Sequence, residues 1–70
     1  MPIHLTKREI TILIRAGFSD ADTANQLNLA PSTVRNHWVS IFNKMGVRGK
    51  TQCAIKALRL GLVSIYNFIV

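Results

Sequence analysis

The stretch SDADTANQLNLAPSTVRNHWVSIFNKMG, residues 19–46, decides the fold, because it holds two helical patterns separated by a very short turn. Ser19 is a helix cap, Asp20 and Asp22 fall in the first turn, where negative charge favours the helix dipole, and Ala21, Ala24 and Leu27 follow. These residues predict a helix over 20–27. Asn28-Leu29-Ala30 makes the turn, and Pro31 opens the next helix at the position where a missing amide donor is harmless. Val34, Trp38, Ile41 and Met45 then recur at spacings of 4, 3 and 4, which is a buried stripe, and Gly46 stops a helix over 31–45. The opposite side of that helix carries Ser32, Arg35, Asn36, Val39 and Asn43.

On the amino-terminal side, Thr6 and Glu9 form a capping box, with Leu5 placed to staple against Ile10. Ile10, Leu13 and Ile14, widened by Ile12, give the apolar face of a helix over 7–16, with Gly17 suited to a left-handed position after it. On the carboxy-terminal side, a helix over 50–60 turns Ala54, Ala57, Leu58 and Cys53 inward and ends at Gly61. The expected architecture is all-α, four helices in a single domain spanning 1–70. The tail 62–70 is apolar and β-branched, and it can extend the core, dock on a partner or fray.

Composition narrows the function classes. The chain has 70 residues, 49% of them hydrophobic, which suits one small folded core rather than disorder. Nine Lys and Arg against three Asp and Glu give +6 at pH 7, so a polyanion is the first partner to consider. Every net charge lies after residue 30, in Arg35, Lys44, Arg48, Lys50, Lys56 and Arg59. The lone Cys53 excludes an internal disulfide, and His4 and His37 do not have zinc-site spacing, so no metal or cofactor is expected. The uncharged apolar tail Leu60–Val70 is far short of the roughly 20 apolar residues of a membrane helix. Charges at Lys7, Arg8 and Glu9 break any signal peptide, which makes the cytoplasm the expected setting. The sequence offers no paired carboxylates at helical spacing, no Ser-His-acid set with a convincing scaffold and no glycine-rich phosphate loop, and an enzyme is not expected.

Two short helices joined by a tight turn make a helix-turn-helix, able to lay the second helix in a major groove. Arg35 can offer paired donors to guanine, Asn36 can pair with adenine, and Val39 can touch a thymine methyl. Thr33, Lys44 and Lys50 suit phosphates, which position a protein without reading sequence. The competing interpretation is an ordinary solvated face on a three-helix unit. Trp38, within the stripe, is expected in the core, His37 as a packed residue donating one hydrogen bond, and Cys53 as a small inert hydrophobe.

The chain resembles the LuxR/GerE-type DNA-binding domain of bacterial transcription regulators. The resemblance rests on Leu5-Thr6, Arg8-Glu9-Ile10, Ala16-Gly17-Phe18-Ser19, Ala24, Leu27-Asn28-Leu29, Thr33-Val34-Arg35, His37, Ile41, Lys44-Met45-Gly46-Val47, Ala54-Ile55, Ala57 and Gly61-Leu62. It covers residues 4–63. It implies sequence-specific binding of double-stranded DNA and transcription regulation, with base contacts at Arg35, Asn36 and Val39 and phosphate contacts near Thr33 and Lys44. It also implies a homodimer through the fourth helix, for which Cys53, Lys56 and Ala57 are the candidates. Such a dimer would present two recognition helices to half-sites one helical turn apart.

The departures from the family pattern are specific. Ala30 stands where the family usually has a capping Ser, which costs about 0.5 to 2 kcal/mol. Asp20-Ala21-Asp22-Thr23 replaces the common Asn-Lys-Glu-Ile, removing a lysine, adding an acid near the DNA backbone and placing a hydroxyl at an aliphatic position. Thr11 stands for a frequent Glu, and Lys50 for a common Arg. These changes leave room for an alternative, a protein-interaction module of weak autonomous DNA affinity that contacts RNA polymerase or another regulator. Met1 directly before the domain fits either a free-standing regulator or a fragment.

Overall fold

The computed structural model describes residues 3–68. Its helices are α1 (Lys7–Leu13), α2 (Asp20–Leu27), α3 (Pro31–Met45) and α4 (Lys50–Arg59), followed by a 3-10 turn at Ile65–Phe68. α3 packs against each of the other three helices, and α1 also touches α4. The all-α, four-helix expectation holds, with every helix start where the sequence put it.

The starts are sharp because their caps are chemical. Thr6 Oγ1 accepts from the Glu9 amide at 3.1 Å and the Thr6 amide donates to Glu9 Oε1 at 2.9 Å, completing the capping box. Ser19 Oγ accepts from the Asp22 amide at 3.1 Å. Ala30 caps α3 with no side-chain bond, and Pro31 occupies the first turn. Two of the expected glycine stops hold: Gly46 has φ +70° and Gly61 φ +72°, both left-handed. Asn28 takes the same conformation at the end of α2, with φ 59°, letting the Leu29 amide donate back to Ala24 O at 2.8 Å.

α1 is shorter than expected, ending at Leu13 instead of residue 16. From there the Arg15 and Ala16 amides donate three residues back, to Ile12 O at 3.0 Å and Leu13 O at 3.1 Å, so the chain tightens into turns. Gly17 has no positive φ, and the left-handed stop expected there is absent.

The core is Leu5, Ile12, Leu13, Ala24, Val34, Trp38, Ile41, Met45, Cys53, Ala57 and Val63. The α3 stripe is enclosed throughout, as its spacing predicts. On α1 the apolar face is rotated: Ile12 and Leu13 are fully buried, whereas Ile10 and Ile14 are half-buried. Ala54 and Leu58, expected inward on α4, are half-buried as well. The described tail joins this core through buried Val63, with Leu62 and Phe68 packed against it, while Ile65 and Tyr66 stay exposed. Ile69 and Val70 lie outside the described residues. Among the described residues no helix is long and apolar enough to cross a membrane.

Candidate nucleic-acid interface

With its stripe turned to the core, α3 presents Ser32, Arg35, Asn36, Val39 and Asn43 to solvent. The helix has 15 residues, about 22 Å at 1.5 Å per residue, and its diameter of about 10–12 Å matches a major groove about 12 Å wide. Val39 stands about one turn beyond the adjacent Arg35 and Asn36 on this face. The Arg35 side chain is 67% exposed and Val39 is 52% exposed. Thr33 is half-buried at the edge of the face.

The two lysines assigned to phosphate are both engaged within the protein. Lys44 Nζ donates to Glu9 Oε1 at 2.7 Å, and the Ser40 hydroxyl donates to Glu9 Oε2 at 2.7 Å. Glu9 is 3% exposed. Burial opposes its ionisation, but the bonds from Lys44, the Thr6 amide and Ser40 outweigh that and hold its pKa down at about 2. Lys44 thereby ties α3 to α1. Lys50 Nζ donates to Asp20 Oδ1 at 2.8 Å and lies 5.4 Å from the centroid of the Trp38 ring, tying α4 to α2 and α3.

The dimer candidates fare differently. Cys53 and Ala57 are fully buried in the chain's own core, so neither side chain lies on a surface open to a partner. Burial also pushes the Cys53 thiol above its ordinary pKa, against the opposing charge of Lys56, which keeps it in the inert protonated form. Lys56 Nζ donates to Met45 O at 2.6 Å, closing the carboxy-terminal end of α3. The open side of α4 consists instead of Gln52, Ile55, Arg59 and Leu60, with Ile55 50% and Leu60 53% exposed.

Trp38 is core, 2% exposed, and stacks in a tilted arrangement on Phe42 with centroids 5.5 Å apart. Among the described residues its indole N–H and the Thr23 hydroxyl are buried without hydrogen-bond partners. His37 is half-buried, and among the described residues its ring makes no hydrogen bond, contrary to the one expected. Arg48 was not singled out by sequence, yet it is exposed in the α3–α4 loop and lines a recess with Val39, Asn43 and Val47, beside the open face of α3. Only its charge in the basic half of the chain pointed to it.

Comparison with known proteins shows the family. Residues 4–57 match the family model GerE, described as bacterial regulatory proteins, luxR family. The chain is similar to the transcriptional regulatory protein LnrK of Bacillus subtilis, 38% identical over 66 residues that make up 91% of this chain and 30% of LnrK. It is 33% identical to the transcriptional regulatory protein DegU of Brevibacillus brevis over 91% of this chain and 28% of DegU. It thus spans less than a third of either regulator. The spore germination protein GerE of Bacillus subtilis is 36% identical over 59 residues, 81% of this chain and 80% of that protein. No solved structure gives a significant match.

Proposed function

The chain belongs to the luxR family of bacterial regulatory proteins as a helix-turn-helix DNA-binding domain, and on that premise we propose that α3 enters the major groove and reads base sequence. Arg35 faces guanine, Asn36 adenine and Val39 a thymine methyl. The observation that carries this reading is the alignment of these three exposed side chains on a helix whose opposite face is wholly enclosed. Thr33 and Arg48 flank that face and contact phosphates, and Lys44 and Lys50 join them only by loosening their internal pairs. Two copies associate through the open side of α4, where Ile55 and Leu60 offer apolar area between Gln52 and Arg59. The site of action is the bacterial cytoplasm.

A second reading, in which the domain works beside RNA polymerase or another regulator, draws support from Ile65 and Tyr66, 55% and 78% exposed next to the core. Selection from a randomised duplex library, at low and moderate salt with stoichiometry measured, separates the two. An enriched motif with two half-sites roughly 34 Å apart and two chains per duplex is the expected result. Uniform, salt-labile binding, or none, would contradict autonomous reading and favour the partner-dependent mode.

A further inference from the structure

Asp20 stands where the elements of the proposed interface meet. From the first position of α2, its Oδ1 accepts from Lys50 Nζ at 2.8 Å, and its Oδ2 lies 3.9 Å from Nε of Arg35 on α3. Lys50 Nζ is also 3.4 Å from Phe18 O. The pair is not sealed off, since the Asp20 and Lys50 side chains are 25% and 29% exposed. A carboxylate thus sits between two cations at the edge of the base-reading face, with the charge a DNA phosphate would bring.

We propose that the Asp20 carboxylate is an internal stand-in for the DNA phosphate that Lys50 would otherwise meet, occupying Lys50 in the free protein at the edge of the face that carries Arg35, and setting affinity because DNA has to displace it. The inference rests on the reading of α3 as the DNA-facing helix. A cation free in solution releases bound counterions when it meets a phosphate, and this release drives most salt-dependent binding. A cation already neutralised by an internal acid has little to release, and the displaced carboxylate then faces the phosphates as a like charge. Asp22, in the same helical turn, is exposed and forms no ion pair among the described residues. It therefore separates the effect of this contact from that of net charge.

The test measures fluorescence anisotropy of a labelled random-sequence duplex and of a library-selected duplex, across a salt series, with the 70-residue parent, Asp20→Asn and Asp22→Asn. Asp20→Asn is expected to bind both duplexes about five- to tenfold tighter at low salt, with a log–log salt slope steeper by about 1. Asp22→Asn is expected to gain about twofold or less with the slope unchanged. Equal gains from both variants, or none from Asp20→Asn, would overturn the inference while leaving the DNA reading intact. Weaker binding by a folded Asp20→Asn would overturn it too, by making Asp20 a support that positions Arg35. Absence of binding by parent and variants alike would sink the DNA reading and the inference with it. Trp38 fluorescence reports folding, and Asp20→Ser replaces Asp20→Asn should the latter lose that signal.

Discussion

The ammonium of Lys44 lies 2.7 Å from a carboxylate of Glu9 that is almost wholly enclosed, joining the last turn of α3 to the first turn of α1 across 35 positions of sequence. The same carboxylate closes the capping box of α1 and accepts from Ser40. Glu9 is therefore both a local helix-start signal and a polar tie between α3 and α1. With no acid elsewhere in the core, its ionisation governs how the fold responds to acid.

Because the Glu9 pKa is lowered from 4.5 to about 2 on folding, the ionised carboxylate stabilises the fold above about pH 4.5, by about 3 kcal/mol at about 1.4 kcal/mol per unit. That contribution is lost as pH falls from about 4.5 through 2. Urea unfolding followed by Trp38 fluorescence should show stability dropping across this window in the parent and a much flatter profile in Glu9→Gln. Equal acid sensitivity in both would remove Glu9 as the source. Lys44→Met strands the carboxylate without its partner, so any effect of that change on DNA binding has to be measured beside its effect on folding.

Thr23 buries a hydroxyl that has no partner among the described residues, at a position where the family resemblance implies an aliphatic side chain. Thr23→Val keeps the shape and removes the desolvated oxygen, and should stabilise the domain by about 1 kcal/mol. The urea midpoint is the measurement. A lower midpoint would mean that the hydroxyl is satisfied in solution.

Ala30 leaves the start of α3 without a side-chain cap. Ala30→Ser, with an oxygen able to accept from an amide two or three residues on, should raise stability by about 0.5 to 2 kcal/mol. An unchanged midpoint would show that Pro31 and the surrounding contacts already fix this turn.

Local chemistry made most of the fold legible. The Thr6–Glu9 box, the Ser19 cap, the Gly46 stop and the 4-3-4 stripe on α3 each act within a few residues, and each stands in the structure as read. The early end of α1 was not legible, because Ile14 and Ala16 continue the apolar pattern past it. Arg15 donates to Thr11 O at 2.6 Å and, across the turn, to Gln26 Oε1 at 2.9 Å.

The site divides the same way. Arg35, Asn36 and Val39 follow from helical periodicity once the buried stripe is known, so their exposure could be read in advance. The engagements of Lys44 with Glu9 and of Lys50 with Asp20 join residues at least 30 positions apart, and no local pattern encodes them. On α4 the spacing already turned Cys53 and Ala57 inward, but it did not reveal that Ala54 and Leu58 stay half-buried while Gln52, Ile55 and Arg59 point out. That orientation is fixed by where α3 and α1 happen to lie against the helix.

The central claim is that α3 reads base sequence through its exposed face, and Arg35→Ala tests it most directly. The substitution changes an exposed side chain whose only ion pair among the described residues is the 3.9 Å contact to Asp20, so the fold should be preserved. Library selection repeated with this variant should lose preference at one base step, a loss of about 1 to 3 kcal/mol in discrimination, while the remaining positions of the motif keep theirs. An equal loss of affinity on every sequence would contradict the account, because Arg35 would then be one more contact to the phosphate backbone.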